Sequence, residues 1–275
     1  MTPIFKGLSM GILTMSLLLP SSTSFADENI APSQTENTGA ALDAGFLKTD
    51  EGKKIVEIGE EKARQAWEQE NRKKRVKRMR PPGQKYYLDL THFEQKDFYY
   101  CGPASGQQVL SFHKQDSGSG FPLPNQDHLA AVMNTINDGA TNSGNLAWGL
   151  NLYKDDYDFA DSPYGVSTPS SIQELEVYIK SKLSQRTNVP IVLTNTEHMW
   201  RYKDAAKNYR HYVVVNGYDS NDGTMHIVDP SHVKDKNGHN LGGEYWEKIG
   251  NYDMTGYGIG RAVQSARGGN PTLVW

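Results

Sequence analysis

The sequence predicts an α+β protein with an N-terminal helical lobe and an antiparallel sheet, on three observations. Apolar residues recur at helical spacing after residue 101, over 129–136 and over 175–183. Dense β-branched and aromatic runs follow at 190–193, 211–218 and 224–228. Helical signals come first and paired-strand signals later, which argues against alternating βαβ units and a parallel sheet.

The elements follow in chain order. Residues 1–26 read as a secretory signal: Lys6 provides a positive start, residues 7–20 are mostly apolar, and Ser24-Phe25-Ala26 ends in a small residue before Asp27. The apolar run is broken by Ser9 and Ser16 and is short against the roughly 20 residues of a bilayer span. Cleavage after Ala26 is expected, making the mature chain secreted or cell-surface associated. Residues 27–83 read as a flexible charged N-terminal extension. Its first part, 27–50, is polar and without periodicity. Its second part, 54–80, suits a solvent-exposed helix with Ile55, Ile58, Ala63 and Trp67 on one face. That helix ends in a block, 71–80, with seven Lys or Arg, and Pro81-Pro82-Gly83 stops it. Such a block is a solvated face or a contact for an anionic cell-surface polymer.

The compact domain is expected over 84–275. Tyr86–Leu90 suggests a strand. Cys101 then stands at a helix entrance, because Ala104, Val109, Leu110 and Phe112 follow it as a buried helix would require. Asn125 or Asp127 caps a further helix with the stripe Leu129, Val132, Met133 and Ile136. Ser171 and Glu174 form a capping box before Leu175, Val177, Ile179 and Leu183, and Pro190 to Leu193 opens a strand. The run 211–218, the turn 219–223 and the run 224–228 make an antiparallel hairpin. A last short strand is expected at 272–275.

Composition narrows the function classes. Hydrophobic residues are 37% of the 275, enough for a real core. The formal net charge is −3, and removal of residues 1–26 takes away Lys6 and no acidic residue, so no whole-molecule attraction to nucleic acid is expected. The chain has one cysteine, so an exported form has no internal disulfide and its core alone must hold the fold. His226, Asp229 and His232 do not form a helical His-Glu-x-x-His set, and Gly139, Gly144 and Gly149 are not followed by the Lys-Ser or Lys-Thr of a phosphate loop. Neither a metal nor an organic cofactor is implied.

The lone cysteine is the strongest chemical candidate. At a helix N-terminus, free N–H groups and the helix dipole favour negative charge on sulfur. Gly102 allows close backbone approach, and Pro103 fits an early helical position where an N–H has no intrahelical acceptor. Taken alone, Cys101 suits a packed core thiol equally well. In the expected hairpin, Asp229 follows the strand paired to that of His211, so its carboxylate can return to the imidazole and set its tautomer.

Gln95, Tyr100-Cys101-Gly102-Pro103-Ala104, the run from His211 to Tyr218, and Asp229-Pro230 together resemble the C39-like branch of papain-like cysteine peptidases, from about Tyr86 to Pro230. The resemblance implies a papain-like fold over 84–275, with Cys101 as nucleophile, His211 as its base, Asp229 orienting the imidazole and Gln95 stabilising the oxyanion. It implies hydrolysis of amide bonds in a peptide or protein substrate through a thioester acyl-enzyme, without a cofactor. A peptide-binding module without turnover and an acyl transferase use the same residues. Arg210 stands where the family often has Gly.

Overall fold

A computed structural model describes residues 40, 45–76, 83–135, 140–250, 256–268 and 271–275, with the side chains of 74–76 left aside. The expected signal at 1–26, nearly all of 27–44, Ile136 and the end of the basic block lie outside the described residues. The elements are α1 (Asp50–Val76), β1 (Lys85–Tyr87), α2 (Cys101–Ser117), α3 (Gln126–Val132), α4 (Ser143–Asn151), β2 (Val166–Ser167), α5 (Ile172–Gln185), β3 (Ile191–Asn195), β4 (Arg210–Asp219), β5 (Thr224–Asp229), β6 (Gly243–Lys248), α6 (Ile259–Ser265) and β7 (Leu273–Val274). The expected α+β architecture is found. The sequence reading had not placed α4, β2, β6 or α6.

Local chemistry accounts for several boundaries. Asn125 caps α3, its Oδ1 accepting from the His128 N–H at 2.9 Å. Ser171 caps α5 by accepting from the Glu174 N–H at 3.1 Å. The Glu174 carboxylate reaches back to the N–H of Ser170 rather than to that of Ser171, so the box closes one residue earlier than its usual form. The helix α2 ends at Gly118, whose left-handed φ of 66° a residue without Cβ adopts freely.

The sheet runs β2-β7-β3-β4-β5-β6 with every pair antiparallel, and β1 pairs with the far half of β4. The long strand β4 is central. Its register sets Val214 opposite Val228 and Val215 opposite Ile227, then slips at Asn216, a bulge residue whose side chain bonds Leu88 O and His226 Nδ1. Val213, Val214 and Val215 are fully buried, so the run covers both faces of the strand, and α2 and α5 pack on β4. Successive strand residues alternate faces. The register makes Val213 the partner position of Asp229, so His211, two residues along, shares its face and is its diagonal neighbour.

The helix α1 precedes the boundary expected at residue 84 and packs on the elements that follow it. The described residues belong to one compact unit, Thr35–Trp275, and α1 is part of it, packing on α4, α5 and β2. Its buried stripe is Gly52, Ile55, Gly59, Lys62 and Ala66, a three-and-four pattern that hydrophobicity does not reveal, since only two of the five are apolar side chains. Gly59 lies so close to β2 that a Cβ there would meet Val166 O at 1.9 Å. Lys62 is 6% exposed and donates to Trp275 O at 2.8 Å and Asn188 Oδ1 at 3.2 Å. Ile58, Ala63 and Trp67, read from sequence as the helix face, are half-buried at its flanks.

Candidate functional site

Cys101 opens α2, with Tyr100 at the N-cap making no side-chain capping bond. The sulfur-bearing residue is 0% exposed. Gly102 is required by contact: a Cβ would approach Thr141 Oγ1 to 2.5 Å. Pro103 sits in the first turn, where its missing N–H costs nothing. One turn on, Ser105 Oγ donates to Tyr212 O at 3.4 Å, seating the helix start over the beginning of β4.

His211 is 2% exposed and Asp229 is 0% exposed. Nε2 of His211 and Oδ1 of Asp229 are 2.7 Å apart. That bond uses one ring nitrogen, and Nδ1 is left for the Cys101 thiol beside the ring. Burial works against a charged imidazole, but the Asp229 carboxylate outweighs it, and the Cys101 thiol beside the ring adds to the effect, so His211 is pushed up to about 10. For Asp229 burial likewise opposes charge, and the imidazolium, the Ser231 N–H and the Tyr202 hydroxyl hold it below the ordinary carboxylate value.

Two residues the sequence reading missed complete the Asp229 site. Tyr202 Oη and Tyr245 Oη donate to Oδ2 at 2.8 and 2.9 Å, while the Ser231 N–H donates to Oδ1 at 2.8 Å. Burial and then the nearby carboxylate raise both phenols well above their usual value, which keeps them protonated as donors. The Asp229 carboxylate therefore accepts four bonds. Tyr202 lies in a short 3-10 turn and Tyr245 on β6, and no spacing ties either to Asp229.

Gln95 is pinned beside the same turn. Its N–H donates to Pro230 O at 2.7 Å, its carbonyl accepts from His232 Nδ1 at 3.1 Å, and His92 Nε2 donates to Asp229 O at 3.0 Å. The side chain is engaged locally. Nε2 donates to Asp97 O at 2.9 Å and Phe98 O at 2.8 Å, holding the loop that leads to Cys101, and the buried Oε1 has no partner. Of the three groups weighed for metal, His226 bonds Asn216, His232 bonds Gln95 and Asp229 bonds His211. Arg210 is half-buried and lies opposite Asn195 in the β3–β4 register, where burial disfavours its charge.

The α+β fold thus carries a buried cysteine at a helix start and a buried histidine bonded to a buried carboxylate. A family model described as the Peptidase_C39 like family matches residues 87–254, and the chain belongs to that family. No curated protein matches it. Among solved structures, it is similar to a double glycine motif protease from an AMS/PCAT transporter, in complex with the leader peptide. The identity is 16% and the TM-score 0.38, with 62% of this chain and 89% of that one covered. No described helix is long and apolar enough to cross a membrane.

Proposed function

We propose that the protein is an exported cysteine peptidase with a papain-like domain, which hydrolyses peptide amide bonds through a thioester on Cys101. The observation that carries this reading is the orientation of His211: Nε2 is engaged by Asp229, which leaves Nδ1 for the neighbouring thiol. His211 takes the thiol proton, giving a thiolate and an imidazolium that Asp229 stabilises. The sulfur forms a bond to the scissile carbonyl carbon, and the Cys101 N–H at the helix start meets the oxygen that becomes negative. The C–N bond breaks as the imidazolium protonates the leaving amine. Water, deprotonated by the same imidazole, then adds to the thioester, and the C–S bond breaks to release the acid and restore the thiol. For Gln95 to supply a second oxyanion donor, one of its bonds to Asp97 O or Phe98 O must be exchanged for the substrate.

Export is supported by the signal-like pattern of residues 1–26, and contact with an anionic cell-surface polymer by the basic block at 71–80. A second reading, a peptide-binding module without turnover, is favoured by the complete burial of Cys101 and the engaged carboxamide of Gln95. One experiment separates the two. The protein and its Cys101→Ala variant are incubated with a diverse peptide library, and new termini and protein adducts are read by mass spectrometry. New termini and a thioester adduct in the wild type alone are the expected result. Peptide retention by both proteins with no new terminus would reject the peptidase reading, and amine-capped products would identify a transferase.

A further inference from the structure

Beside α1, away from the residues assigned to catalysis, lies a cavity of about 540 Å3 bordered by Lys54, Glu57, Glu61 and Lys62 of α1, Asp161 and Ser162 before β2, and Lys182 of α5. That volume is in the range of small-molecule sites. Its unusual member is Lys182. The residue is 5% exposed, its ammonium lies 5.9 Å from the Trp275 ring centroid, and among the described residues no carbonyl or carboxylate accepts a hydrogen bond from it. Held over the ring on one side, this ammonium borders the open pocket on the other, where a ligand can reach it. Lys62 stands near it with two of its three N–H donors used, on Trp275 O and Asn188 Oδ1.

We propose that this cavity binds a small monocarboxylate, received by the Lys182 ammonium with the remaining N–H of Lys62 beside it. The rest of the lining selects the charge. Glu57, Glu61 and Asp161 repel a dianion such as phosphate more strongly than a single carboxylate, whereas Lys54 balances only one of them. Glu61 is already paired with Arg64 at 2.6 Å and bonded by Gln65, which leaves Glu57 and Asp161 to meet an amine or hydroxyl elsewhere on the ligand. Burial brings Lys182 down to about 8, and burial together with the Lys182 charge lowers Lys62 well below its usual value. A bound carboxylate reverses both effects. The α1 wall lies outside the family-matched residues 87–254, whereas Asp161, Ser162 and Lys182 lie within them.

The test uses the intact protein at pH 7 and constant ionic strength. Thermal unfolding is followed against rising sodium acetate or sodium butyrate, with sodium chloride and inorganic phosphate as comparisons. In parallel, the Lys182 amine is titrated by NMR of the isotope-labelled side chain. The expected result is a saturable rise in Tm with either carboxylate, reaching about 5 °C at a hundredfold excess over Kd. The Lys182 titration should move upward as the ligand binds. Lys182→Met, which keeps the length and removes the charge, should fold and show no carboxylate response. An unchanged Lys182 titration at high carboxylate would overturn the proposal without any variant. So would an equal Tm rise in Lys182→Met, or a response to phosphate and not to acetate. Thiol labelling of Cys101 should not change in any of these samples, which keeps the result independent of the peptidase reading.

Discussion

His211 and Asp229 are diagonal neighbours on one face of the β4–β5 hairpin, joined by a 2.7 Å bond in a fully buried setting. The stability of the pair is linked to pH through both partners. His211 is raised from 6.5 to about 10, so its contribution is complete below 6.5 and fades as pH rises toward 10. Asp229 is lowered from 3.8, so its contribution is present above 3.8 and is lost as acid carries the pH through its folded value. The pair stabilises most between these two ordinary values. Asp229→Asn should cost about 3–5 kcal/mol near pH 6. In urea titrations the gap to wild type should narrow on moving to pH 10; a gap constant with pH would contradict the ion pair.

The two phenols on Asp229 Oδ2 make a second prediction. Tyr202→Phe and Tyr245→Phe each remove one charge-directed donor and should each cost about 1.5–3 kcal/mol of stability. Both donors meet one carboxylate oxygen, so the double variant should depart from additivity. If they position the catalytic pair, the alkaline limb of the pH–rate profile should shift as Asp229 becomes less well held. Loss of Tm with an unshifted profile would confine them to a packing role.

Gln95 connects stability and chemistry. Gln95→Ala removes the bonds to Asp97 O and Phe98 O and should lower Tm. It should also reduce kcat/KM by about 2–4 kcal/mol of transition-state stabilisation if a carboxamide donor turns to the oxyanion. Gln95→Glu removes the donors while keeping the shape, and its kcat/KM should fall similarly. A lower Tm with normal turnover would leave Gln95 as an anchor for the loop before Cys101.

The docking of α1 is open to a single-atom test. Gly59→Ala places a methyl group where Val166 O stands and should destabilise by about 1–3 kcal/mol as the helix is pushed from β2. Truncation to begin near Gly83 should lower Tm sharply, because it uncovers the surface beneath Ile55 and Ala66 and leaves Trp275 O without Lys62. An unchanged Tm for the truncated chain would restore the view of 27–83 as a detachable extension.

Much of the fold was legible because its signals are local. The caps at Asn125 and Ser171, the start of α2 at Cys101 and the β4–β5 hairpin are each written in a few adjacent residues. The approach of His211 to Asp229 followed from strand pairing, since two paired strands with a short turn have few registers. The helix α1 was legible as a helix but not as part of the core. Its contact face is made by Gly52, Gly59 and Lys62, which allow close packing or reach a distant carbonyl without registering as apolar.

By itself, then, the sequence determined the order of helices and strands, the position of the thiol at a helix start and the pairing that carries His211 to Asp229. Only the tertiary structure decided that Tyr202 and Tyr245 complete the carboxylate, that the Gln95 carboxamide holds its own loop, and that Lys182 is buried beside Lys62. The physical reason is range. Periodicity and capping report how one segment meets its immediate neighbours, whereas a donor's choice of acceptor depends on which distant surfaces packing brings within 3 Å.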